Sequence, residues 1–156
     1  MYQSGLTIKD ALDAVSKNLY VLPAIQREIF WKPDQICRLF DSLMQGYPFG
    51  TFLFWKVEPE KSVQFKFYGF VQTYHERDAA HCPELGTLPN RELTAVLDGQ
   101  QRLTALNIGL RGSMAIKEPN KWRTNTNAFP KRVLHLDLLA TRGDDEEGEA
   151  YSFRFL

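Results

Sequence analysis

The sequence predicts a mixed α/β fold of the α+β kind: one domain over residues 1–156, with a small mixed sheet flanked by helices. Three observations predict it. Helical periods of apolar residues and short strand-like runs follow one another in irregular order, which fits neither a pure bundle nor a repeat. The chain of 156 residues is 44% hydrophobic, enough for one sizeable core. Eleven Phe, six Tyr and three Trp argue against disorder and for a core or cleft built from large rings.

Taken in order, residues 8–18 form a short amphipathic helix, with Ile8, Leu12 and Val15 on one face. Thr7 stands at its cap and Asp10 three residues on, as in a capping box. Residues 19–22 are a strand closed by Pro23, and AIQREIFW after it has neither a helical nor a strand period. Pro33 opens a helix whose apolar positions Ile36, Leu39, Phe40, Leu43 and Met44 share one face, and Gly46 stops it. YPFGT then turns into residues 51–57, a continuous aromatic and β-branched run expected to be a buried strand. Residues 63–67 alternate like a strand, 68–76 are compatible with a helix, and 81–90 are expected to be a loop. Residues 93–97 read as a strand, 100–110 as a helix, and the stretch from RGSMAIK onward as a polar excursion. Residues 133–138 and 151–155 read as closing strands around the acidic GDDEEGE. The strand-like YSFRFL ending has no polar tail, the pattern expected of the N-terminal part of a longer protein.

Composition narrows the function classes. Nineteen basic residues balance nineteen acidic ones, so no global positive field drives nucleic-acid binding and any such contact must be local. Two cysteines, Cys37 and Cys82, make neither a disulfide framework nor a paired metal motif, which fits a reducing cytoplasm. The sequence holds no bilayer-spanning apolar run and no signal-peptide pattern at its start, so no membrane partner is expected. The familiar phosphate-loop, dinucleotide, zinc-protease and nucleophile-elbow motifs are missing.

The chemistry-bearing stretch is TAVLDGQQRLTALNIGL, residues 94–110, where an apolar strand breaks at Asp98-Gly99-Gln100-Gln101-Arg102 and turns at once into a helix. Gly99 permits backbone angles closed to other residues, and free N–H groups at a helix start, with the helix dipole, attract anions. Arg102 offers a planar fork for phosphate oxygens, Asp98 a ligand for magnesium or a partner for water, and Gln100 or Gln101 a means to orient that water. An equally available reading has Asp98 capping the helix and pairing with Arg102 at i, i+4. Gln26 and Arg27 also follow a strand and would complete a polyphosphate clamp.

PAIQREIFW, LFDSLMQGYPFGTFLFW and VLDGQQRLTAL, in this order, resemble the N-terminal domain of GmrSD-type restriction proteins, a family marked by Asp-Gly-Gln-Gln-Arg and related to the ParB and sulfiredoxin fold. The resemblance runs from about Thr7 to the late strands VLHLDLL and YSFRF. It implies a bacterial anti-phage defence module that binds and hydrolyses a nucleoside triphosphate with magnesium, while an HNH-type nuclease domain or subunit cuts DNA. By the same resemblance Asp98, Gln100, Gln101 and Arg102 become the catalytic set, Gln26, Arg27 and Gly99 the nucleotide-binding set, and Asp98 the metal ligand. No nuclease domain follows in this sequence. The rival expectation is a non-catalytic module that senses a nucleotide or modified DNA and regulates a partner nuclease. Self-association as a homo-oligomer is compatible with both.

Three further groups are weaker. Tyr47, Pro48 and Gly50 make a capable turn by themselves and by resemblance border the cleft. Lys121, Trp122, Arg123, Lys131 and Arg132 mix cations with a ring as a DNA contact would, or form a charged surface loop. His75, His81 and Cys82 lie close in sequence but at no usual zinc spacing.

Overall fold

A computed structural model describes residues 5–24, 31–86, 88, 92–140 and 149–156. Gln26 and Arg27, and most of the acidic run, lie outside the described residues.

The first helix, α1 (Ile8–Ser16), starts as expected: the Thr7 hydroxyl accepts from the Asp10 N–H at 3.1 Å, and the Asp10 carboxylate accepts from the Thr7 N–H at 3.2 Å. After β1 (Tyr20–Pro23), α2 (Pro33–Met44) runs as the sequence predicts, burying Ile36, Leu39 and Phe40. Strand β2 (Leu53–Val57) is followed by the single turn α3 (Pro59–Ser62). Three short strands follow: β3 (Phe67–Tyr68), β4 (Thr73–His75) and β5 (Glu84–Leu85). Then come β6 (Leu93–Asp98), α4 (Gln100–Arg111), β7 (Ser113–Ala115), β8 (Lys131–Arg132), β9 (Leu134–Leu136) and β10 (Phe153–Phe155).

The main sheet has the order β2-β6-β1-β3-β5, with β1 and β6 parallel and the remaining pairs antiparallel. A second sheet, β4-β7-β8, and the antiparallel β9-β10 pair complete the mixed α/β architecture. The principal core forms where α1, α2 and α4 meet Leu22, Val96, Phe70 and Val71. Asp41 is the charged residue of α2 that this packing buries, 5% exposed, and its Oδ1 accepts from the N–H groups of Ala150 at 3.0 Å and Tyr151 at 2.8 Å. That contact seats the lead-in to β10 on α2.

Four sequence expectations are corrected. Residues 51–57 contain a strand, but β2 stands at the edge of its sheet, and Leu53, Phe54 and Trp55 are exposed. A continuous apolar run fits an edge strand as well as a central one, because periodicity does not report on neighbours. Residues 68–76 are not helical. Tyr68 ends β3 and Thr73–His75 is β4, whose register is supplied by β7, about forty residues away in sequence. The 81–90 loop contains β5, which pairs with β3, whereas the strand expected at 63–67 is confined to Phe67–Tyr68.

At the end of α4, Gly112 allows close approach of a second backbone: a Cβ there would lie 1.8 Å from the Gln72 carbonyl oxygen. That carbonyl accepts from Ser113 N–H at 3.2 Å, while Gln72 Nε2 donates to Arg111 O at 2.7 Å. Gly112→Ala must push these backbones apart, and a loss of about 2 kcal/mol in urea unfolding is expected.

Asp13 joins α1 to α4, accepting from Lys9 Nζ at 2.7 Å and from Arg111 Nη2. The Lys9 and Arg111 hydrogen bonds hold its carboxyl down to about 2, from an ordinary 3.8. With the folded value depressed, its stabilisation is complete above the ordinary range and is lost as pH falls from about 4 toward 2. Thermal unfolding from pH 5 to pH 2 should therefore show a shallower acid loss in Asp13→Asn than in the parent.

Candidate functional site

Strand β6 delivers Asp98 to the edge of the domain, and the chain reverses through one residue. Gly99 has φ +85°, in the left-handed region, and Gln100 already begins α4. A Cβ on Gly99 would meet the Phe52 ring at 2.4 Å, so close packing as well as backbone angle requires glycine. Against β2, the register steps from Leu53 opposite Asp98 to Phe54 opposite Val96, a bulge next to the turn. Gly99, with no side chain, occupies the cap position, so the capping role open to Asp98 in the sequence is not taken up. The Asp98 side chain is instead 68% exposed.

Arg102 is the mechanical centre. Its Nη1 donates to the Phe49 carbonyl and its Nη2 to the Thr51 carbonyl, both at 2.7 Å, and Nη2 stands 3.5 Å from Asp98 Oδ2. The guanidinium lies over the Phe52 ring at 5.1 Å. Between the two accepting carbonyls sits Gly50, φ +98°, where a Cβ would fall 2.0 Å from Nη1. The Tyr47-Pro48-Phe49-Gly50-Thr51 turn is thus gripped through its backbone by the Asp-Gly-Gln-Gln-Arg turn, with Tyr47 itself exposed. Below them the rings of Phe49, Phe52, Phe54 and Tyr20 make successive contacts at 5.1 to 6.0 Å. Phe52 was not singled out by sequence reasoning, and nothing distinguishes it there from its aromatic neighbours.

The two glutamines diverge. Gln100 folds back, its Nε2 donating to the Val96 carbonyl, whereas Gln101 is exposed on the first turn. The first N–H groups of α4 have no carbonyl within the helix to receive them. The turn therefore presents Asp98, Gly99, Gln101 and Arg102 together, with the Gln100 amide turned back onto β6.

The basic loop residues are placed elsewhere. Glu118 Oε2 pairs with Lys121 at 2.5 Å and its Oε1 with Arg132 at 3.2 Å, and the Lys121 hydrogen bond lowers the Glu118 carboxyl below its ordinary value. Trp122 is 83% exposed, beside exposed Arg123, and Lys131 is exposed on β8. His75 Nδ1 accepts N–H groups of Arg77 and Asp78 at 3.3 and 3.2 Å, a turn-forming role. Among the described residues no cluster of three His, Cys, Asp or Glu side chains is placed to hold a metal.

The profile of the GmrSD restriction endonuclease N-terminal domain matches residues 8–153. The chain belongs to this family. Uncharacterized protein MJ0686 of Methanocaldococcus jannaschii is similar to it, 32% identical over 147 residues, covering 92% of this chain and 23% of the relative. The chain therefore spans about a quarter of the length of that curated relative. As a GmrSD N-terminal domain it is a module of restriction-system type. Among the described residues no helix is long and apolar enough to cross a membrane.

Proposed function

We propose that this domain binds a nucleoside triphosphate at the Asp98–Arg102 turn and hydrolyses it, as the nucleotide-driven half of a defence system whose nuclease cuts DNA. The observation that carries the reading is the Gly99 turn, which sets a carboxylate, an exposed amide and the N-terminal N–H groups of α4 at one point. Phosphoryl transfer needs positioning and charge neutralisation more than covalent chemistry.

The α4 N–H groups and the helix dipole hold phosphate oxygens. Gln101, free of the backbone contact that occupies Gln100, orients the attacking water. Arg102 keeps Asp98 and the Phe49–Thr51 backbone in register, acting as a positioning residue. A single exposed carboxylate fits magnesium, which binds through one or two carboxylates and takes its other ligands from phosphates and water; Asp98 would hold it. When bound, the ion neutralises charge on the phosphates. Gln26 and Arg27 are the proposed second clamp, and Lys121, Trp122, Arg123, Lys131 and Arg132 the proposed DNA contact.

One observation favours the rival, non-catalytic sensor: Gln100 and Arg102 both spend donors on backbone carbonyls. Thermal unfolding with each ribonucleoside triphosphate plus magnesium, with phosphate release assayed in the same samples, separates the two. Ligand at 100 times its Kd adds about 2.7 kcal/mol of stability. Stabilisation with phosphate release that Asp98→Ala and Gln101→Ala abolish supports the enzyme. Stabilisation without release supports the sensor, and neither effect in a folded sample overturns both.

A further inference from the structure

A cleft of about 630 Å³ opens between the N-terminal end of α2, the β4-β7-β8 sheet and β10. It is remote from the turn: α4 starts at Gln100 and runs 12 residues before β7 reaches the cleft, about 18 Å at 1.5 Å per residue. Trp31, Tyr74, Phe153 and Phe155 contribute rings to its lining, with Met114 and Ile116 beside them. Lys32, Arg132 and Arg154 bring three cations, against the carboxylates of Asp34 and Glu76. Among the described residues Arg154 has no ion pair, whereas Arg132 shares Glu118 with Lys121. Glu76 is partly occupied, one oxygen accepting from Lys117 N–H at 2.7 Å.

We infer that this cleft is a second site that binds one nucleotide, the base among the aromatic side chains and the phosphate on Arg154. Several ring-bearing walls suit a planar base, whose faces stack without regard to sequence. Arg154, without an ion pair among the described residues, suits a phosphate, and the carboxylate of Asp34 can accept from an exocyclic amine. Glu118 also ties the cleft wall at Arg132 to Lys121, the neighbour of exposed Trp122, so a strand gripped by Trp122 would lie on the loop joined to that wall. The nucleotide is either free or part of a single strand, and the chemistry of recognition is the same.

The test measures binding of deoxyadenosine monophosphate and of a fluorescein-labelled deoxyadenylate decamer, in EDTA so that a metal-dependent turn site contributes little. The variants are Arg154→Glu, on an exposed strand position, and Cys37→Phe, which fills the cleft from α2; circular dichroism confirms that each is folded. Both should weaken binding roughly tenfold or more, with Asp98→Ala binding like the parent. A decamer that binds much more tightly than the mononucleotide, with the gain lost in Trp122→Ala, identifies a strand as the source. Equal binding identifies the free nucleotide. The inference is overturned if neither probe binds, if Asp98→Ala abolishes binding, or if Cys37→Phe leaves it intact, since loss in Arg154→Glu alone reports only surface charge.

Discussion

Arg102→Ala is expected to lose about 3 kcal/mol of stability and, on the proposed function, all nucleotide-dependent phosphate release, the largest combined effect of any substitution in the turn. The side chain is 19% exposed, and its two 2.7 Å hydrogen bonds bring charge to carbonyl oxygens. Such bonds contribute about 1.5–3 kcal/mol each, and removing the donor leaves both carbonyls dependent on water. Arg102→Lys should restore little, because one ammonium cannot reproduce a fork that meets Phe49 and Thr51 together. Urea unfolding and phosphate release on the same preparations check both.

Asp41→Ala has the second large effect, purely on stability: about 3 kcal/mol. Its carboxylate, 5% exposed, accepts from Ala150 N–H, Tyr151 N–H and Gln45 Nε2, the last at 2.7 Å. Truncation strands three donors, each costing about 1–3 kcal/mol to the extent that water cannot reach it. Asp41→Asn retains the Oδ1 acceptor and should recover more than half of the loss. Hydrogen exchange at Ala150, Tyr151 and β10 should accelerate in Asp41→Ala while exchange in β6 stays slow.

The parts of this fold that could be read from sequence are those whose causes are local. Pro33 and a one-sided apolar period define α2, the Thr7–Asp10 box defines the start of α1, and the break at Asp98-Gly99 marks the β6–α4 junction. What escaped reading depends on partners distant in sequence. Phe70, Val71 and Tyr74 fall at spacings a helix would accept, and only pairing with β7 makes a strand of Thr73–His75. β7 is hidden in a polar excursion because three residues are too few to display a period. The same division runs through the site. The turn and its residues were legible, but Arg102's partners are backbone carbonyls, which every residue carries and which therefore leave no mark in the sequence.

The placement of the three tryptophans gives the molecule an optical map of itself. Trp122 stands almost wholly in water, Trp55 lies half-covered on the outermost strand of the main sheet, and Trp31 is packed between the core and the cleft. Their emission should separate by colour and by access to a dissolved quencher. Iodide will darken Trp122 first, and a residual blue component will belong to Trp31. A ligand entering the cleft and a strand crossing the loop would then leave different spectral signatures in the same unlabelled protein.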